Sequence, residues 1–200
     1  MVDWLPVLVV GLLALILIGL AVRYNGLVQA RVRTQEAWSG INVQLQRRAD
    51  LVPNLVEAVR GYARHESVTF EAVAQARGSV QRAASPVEAT VANLFLAQAL
   101  GQLFAIVEAY PELKASRSFA ALMDDLADIE EKIAFARQFY NMNVLSLNTR
   151  IQTVPDMFYA RMFGFSTFQF FDADEGADVV PHLTFAPPVA VTPPADVPGA

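Results

Sequence analysis

Apolar and polar positions divide the chain into stretches of different character. From Trp4 to Val22, WLPVLVVGLLALILIGLAV, nineteen positions carry no ionisable residue. As a helix this run reaches about 28 Å at 1.5 Å per residue, close to the hydrocarbon thickness of a bilayer. Trp4 sits where an interfacial aromatic would anchor its outer edge. A cleaved signal peptide is the rival reading. The N-terminal MVD holds no Lys or Arg, the run is long, and no A-x-A site follows, so an uncleaved anchor is favoured.

Beyond the anchor the period becomes that of amphipathic helices. Ala37, Trp38, Ile41, Leu45, Ala49 and Val52 form a narrow stripe at 3/4 spacing, and only Gly26 interrupts the chain between anchor and stripe. Pro53 then falls in the middle of the pattern. It fits a corner, with one helix ending near Leu51 and a second beginning at Pro53, where the missing N–H is harmless. It also fits a kink in one long rod. The corner is the preferred reading. Leu55, Val59 and Tyr62 continue the stripe, then Phe70, Val73 and Val80, with an irregularity at His65–Glu66.

Ser85, Pro86 and Glu88 spell a capping box at the start of a third helix, which Tyr110–Pro111 ends. The fourth helix is the most regular. Leu122, Leu126, Ile129, Ile133, Ala136 and Tyr140 are spaced 4-3-4-3-4, and Val144, Leu147, Ile151 and Val154 resume the seam after one extra step of four. Pro155 stops it. The expected fold class is all-α: an N-terminal transmembrane helix followed by an antiparallel four-helix bundle. The corresponding segments are an anchor at 1–23, a bundle at 24–157, an aromatic-rich strap at 158–185 and a disordered Pro-rich tail at 186–200.

Charge adds orientation. Arg23, Arg31 and Arg33 follow the anchor with no acid before Glu36, whereas Asp3 precedes it. The positive-inside rule places the protein in the inner (plasma) membrane as a single pass, N-terminus outside and bundle cytoplasmic. Residues 24–85 carry eight Arg against five acids, and residues 86–157 five Lys or Arg against nine acids, so the two halves attract each other weakly. The net charge of −5 gives no global support for a nucleic-acid partner.

Candidate chemistry is sparse. The absence of cysteine excludes disulfides, thiol catalysis and Cys-ligated metal. Neither His65 nor His182 has the Glu three residues before it that a di-metal helical bundle uses. The DADEGAD stretch at 172–178 departs from a calcium loop in its glycine position and in Leu183, so it reads as a solvated acidic turn. Asp124, Asp125, Asp128, Glu130 and Glu131 flank the fourth-helix seam and should face solvent. No catalytic, cofactor or metal residue, and no small-molecule substrate, is expected. Arg31, Arg33, Arg47, Arg48, Asn148 and Arg150 are the polar candidates for a partner or for anionic lipid. Their alternative is to cap helix ends or to pair with Asp50 and Asp156.

The stretch MFYARMFGFSTFQFF, residues 157–171, is the densest aromatic run. Two out-and-back helix pairs return the chain to the membrane at its start. Phe163, Phe165 and Phe168 are therefore expected either to pack on the bundle or to lie at the membrane interface, with packing preferred.

YNGLV (24–28), AWSGINVQLQRRADLVPNLVEAVRGYARHE (37–66), YN (140–141), LNTRIQTVP (147–155) and FGFSTFQFFDADEGA (163–177) together resemble the LemA family of bacterial membrane-anchored proteins. The resemblance spans about residues 24–185 in consistent order. It implies one transmembrane helix and an antiparallel helical bundle, and it supplies no biochemical activity. The family often has Arg where this chain has Asp178. The expected function is a non-enzymatic membrane scaffold or interaction protein, with a protein partner or a second copy as its ligand and membrane lipid around its anchor. The alternative is an accessory subunit of a membrane protease or envelope-remodelling complex.

Overall fold

Pro53 does not end a helix. In the computed structural model, which describes residues 4–171, α1 (Leu5–Arg60) runs unbroken from the apolar N-terminal segment through Pro53. The corner expected there is corrected, and the reason is tertiary. Proline lacks the N–H that residue 53 would donate to the carbonyl of residue 49. Arg77, on α2 (Ser67–Arg82), supplies a substitute: its Nε donates to the Ala49 carbonyl at 2.9 Å. The chain reverses later, in the turn between Gly61 and Glu66, at the irregularity around His65.

The next boundaries follow local chemistry. The Ser85 hydroxyl accepts from the Glu88 amide at the start of α3 (Pro86–Glu108), and the Glu88 carboxylate accepts from the Ala84 amide. This is a capping box displaced by one residue. A single turn, α4 (Pro111–Lys114), follows the expected stop at Tyr110 and is pinned by a Lys114–Glu108 ion pair. Ser116 caps α5 (Arg117–Gln152) by accepting from the Phe119 amide. Leu126, Ile133, Tyr140, Val144 and Leu147 are buried along α5, as its seam requires, while Val154 lies beyond the helix and is exposed. A short helix, α6 (Asp156–Phe163), ends at Gly164 in the left-handed region (φ 71°), which favours glycine.

All elements among the described residues are helical. The most extensive packing is between α1 and α5, then between α2 and α3. Along α1 and α5, contacts pair Gly26 with Arg150, Trp38 with Tyr140, and Arg48 with Glu130. Along α1 and α2 they pair Ala49 with Arg77 and Arg60 with Phe70. The core draws Ile41, Leu45, Val52 and Leu55 from α1, Val73 from α2, Leu96, Leu100 and Leu103 from α3, and Ile133 and Tyr140 from α5.

Residues 4–19 are exposed on every side, and cover begins at Leu20. This part of α1 is long and apolar enough to cross a membrane. By length and composition α3 passes the same test, but it contributes Leu96, Leu100, Leu103 and Val107 to the core. The acidic stretch 172–178 with Asp178, His182, the strap beyond Phe171 and the 186–200 tail lie outside the described residues.

Candidate functional site

The polar candidates separate into three groups. Arg48 falls on the apolar stripe of α1 between Leu45 and Val52, and its side chain is buried. Its Nη2 lies 2.7 Å from a Glu130 carboxylate oxygen on α5, and its Nη1 donates to Asn93 on α3 at 2.7 Å. Nε has no hydrogen-bond partner in the structure. Burial lowers the guanidinium pKa from its usual value, and the Glu130 carboxylate pulls it back up. This buried charge ties three helices together. Its partner is Glu130, not Asp50, and it faces neither lipid nor solvent.

Asn148 is likewise engaged within the chain. Its side-chain amide donates to the Phe168 carbonyl at 2.8 Å and accepts from the Phe168 amide at 2.9 Å. Asn141, two turns earlier on α5, does the same with Phe171, at 3.0 and 2.9 Å. Seven helical residues rise about 10.5 Å, and three extended residues span about 10 Å. The two asparagines are therefore spaced to grip alternate ends of an extended Phe168–Phe171 segment, much as a neighbouring β-strand would. Between them the Tyr140 hydroxyl donates to the Gln169 carbonyl at 2.8 Å. Burial raises the Tyr140 pKa. The sequence shows Asn141 and Asn148 beside the seam residues Tyr140 and Leu147; that flanking position was the available signal for the clamp.

Arg150 donates to the Gly26 carbonyl at 3.3 Å, joining the end of α5 to the start of the covered part of α1. Arg47 contacts Gln44 on its own helix, and Asp50 and Asp156 pair with Arg77 and Arg23. Arg31, Arg33 and Arg47 are exposed.

The aromatics divide as well. Phe171 is fully buried against Trp38, at 6.1 Å between ring centroids, and Phe168 packs at the edge of the core. Phe163 and Phe165 instead meet Tyr24 edge-on, at 4.9 and 6.0 Å, next to the bare apolar segment. One part of the strap thus packs on the helices, and the other gathers where the apolar segment ends.

The 4-3 periodicity along α5 accounts only for its buried seam. A second apolar ridge lies on the opposite face. Phe135, Phe139, Met142 and Leu145 are 72%, 48%, 56% and 59% exposed. A shallow groove of about 600 Å³ runs on the α1 side of the ridge, between Gly40 and Phe139. Another of about 810 Å³ runs on the strap side, between Met142 and Phe170. The arrangement offers apolar knobs flanked by grooves.

The model of the LemA family matches residues 37–185. Magnetosome protein MamQ of Magnetospirillum gryphiswaldense is 26% identical over 185 residues, covering 80% of this chain and 68% of its own. Magnetosome protein MamQ 2 of Paramagnetospirillum magneticum is 26% identical over 193 residues, 82% of this chain and 71% of its own. Protein LemA of Metamycoplasma hominis is 27% identical over 151 residues, 74% of this chain and 66% of its own.

Proposed function

The chain belongs to the LemA family, and from that premise we propose that it is a non-enzymatic, single-pass membrane scaffold whose antiparallel four-helix bundle self-associates through the outer face of α5. One observation carries the reading: the Phe135–Phe139–Met142–Leu145 ridge is apolar, contiguous and open to solvent, opposite a seam already satisfied by the core. Monomeric proteins rarely expose such a patch without a partner.

A second copy is the favoured occupant. Copies tethered by the same helix in one bilayer stand at the same height and in the same orientation. Their α5 ridges therefore meet at matched levels, at raised effective concentration. A knob row flanked by grooves is also self-complementary about a two-fold axis normal to the membrane.

Contacts met in reverse chain order, 26 with 150, 38 with 140 and 48 with 130, support the antiparallel arrangement. The non-catalytic reading is supported by the polar inventory. Among the described residues the buried polar or charged side chains are Thr34, bonded to the Ala30 carbonyl, and Arg48, bonded to Glu130 and Asn93. That two magnetosome proteins and a mycoplasma LemA match most of this chain at 26–27% identity favours a reused structural module over one dedicated reaction. Arg23, Arg31 and Arg33 support an inner-membrane location with the bundle in the cytoplasm.

The chain has no cysteine, so one introduced thiol reports its own surroundings. Gln138→Cys, beside the ridge, should form a disulfide-linked dimer on mild oxidation in native membranes. Adding Phe135→Asp and Phe139→Asp should abolish it. A Gln138→Cys chain that stays monomeric, or couples stoichiometrically to a different membrane protein, would overturn self-association.

A further inference from the structure

The eight-residue helix α6 is tied at both ends to neighbouring residues of α1. At its start Asp156 accepts from Arg23 at 3.5 Å. At its end Phe163 packs on Tyr24. Both ends of α6 therefore dock beside adjacent residues of α1, at the margin of its bare segment.

Its two faces differ. Ala160 is buried. Phe158 and Met162, one turn apart, are 61% and 60% exposed. The level of α6 identifies what covers them. Residues 4–19 of α1 are bare, Leu20 is the first half-buried residue and Leu27 the first buried one. The protein body begins at α6, and among the described residues nothing lies between it and the apolar segment.

We propose that α6 is a second membrane contact, lying in the plane of the bilayer surface with Phe158 and Met162 inserted at the boundary between headgroups and acyl chains. A short amphipathic helix with large apolar side chains on one face and an arginine beside them suits that boundary. Arg161, exposed and adjacent to Met162, reaches the phosphates. The one acid of α6, Asp156, is paired with Arg23, which removes its repulsion from anionic lipid. The contact fixes the rotation of α1 about its own axis, which a lone transmembrane helix leaves free. The inference rests on the apolar segment being embedded and is independent of self-association.

Single-tryptophan variants of the full chain, in vesicles of phosphatidylcholine and phosphatidylglycerol, test it. The Phe158→Trp chain, with Trp4→Phe and Trp38→Phe, should lose most of its emission to phosphatidylcholine brominated near the headgroup end of the acyl chain. It should lose less to lipid brominated near the chain terminus. Met162→Trp in the same background reads the same ridge independently. A chain retaining only Trp4 reports the span. If Trp4 responds to brominated lipid and neither α6 variant does, the proposal is overturned; shielding of those variants from aqueous iodide would then assign the ridge to a protein contact. If Trp4 also fails to respond, the span itself is refuted and α6 with it.

Discussion

Arg77 donates its Nε hydrogen to the carbonyl of Ala49, the acceptor that Pro53 leaves without a donor four residues along the same helix. A side chain from α2 thus completes the backbone ladder of α1. Ala49 is fully buried, so its carbonyl has no access to water as a substitute.

This arrangement predicts a coupling. Arg77→Met should destabilise the fold by about 1–3 kcal/mol, the cost of an unsatisfied buried carbonyl. In a Pro53→Ala chain the residue-53 amide supplies the donor, and the same Arg77→Met change should cost about 1 kcal/mol less. Urea midpoints of the four chains measure the difference. Equal costs in both backgrounds would refute the relationship.

The asparagine clamp predicts local release. Asn148→Leu removes both bonds to Phe168 while keeping similar bulk, and should cost about 1–3 kcal/mol. Hydrogen exchange at the Phe168 amide should accelerate before exchange along the α5 seam does. Asn141→Leu should act in the same way on Phe171. Unchanged protection at both amides would show that Phe171 packing alone retains the segment.

The Arg48 node predicts an asymmetry. Glu130→Leu leaves a buried guanidinium with only Asn93, and should cost about 1–3 kcal/mol; the cost is moderated because the Glu130 side chain is 43% exposed. The double change Arg48→Met with Glu130→Leu removes the uncompensated charge and should be the more stable of the two chains. Thermal unfolding of both decides it, and a double variant less stable than Glu130→Leu alone contradicts the assignment.

Tyr140 predicts a pH dependence. Its folded-state pKa is raised above the ordinary 10.0 by burial, so the folded state holds its proton where the unfolded chain releases it. Its contribution is complete below 10.0 and is lost as pH rises from there through the folded-state value. Tyr140→Phe should lose about 1 kcal/mol at neutral pH with the bond to Gln169, and should show a shallower alkaline decline. Parallel slopes for the parent and the variant would rule Tyr140 out as the source.

Local rules read several elements directly. Ser85 and Glu88 mark the start of α3, the 4-3 spacing marks the α5 seam, and the uncharged Trp4–Val22 run marks the bare apolar part of α1, because each depends on residues within a few positions of one another. Pro53 suggests a corner by local rules because its remedy, Arg77, stands on another helix, where no local spacing reveals it. The reversal lies at Gly61–Glu66 instead, and Phe163 and Phe165 meet Tyr24. Arg48, a candidate for lipid or a partner by residue type, is buried, and its place on the stripe between Leu45 and Val52 already points inward. The outer ridge of α5 is hidden in the sequence because a helix with a satisfied seam is ordinarily polar opposite it, and here Phe135, Phe139 and Met142 repeat at nearly the same spacing.

With the apolar segment embedded as proposed, α1, unbroken from Leu5 to Arg60, makes the part beyond Tyr24 a lever of about 55 Å hinged in the bilayer. A membrane that thins or thickens changes the tilt at which an apolar helix fits it. A tilt change of about 10° would sweep the Gly61–Glu66 tip by about 10 Å, converting bilayer thickness into lateral displacement far from the lipid.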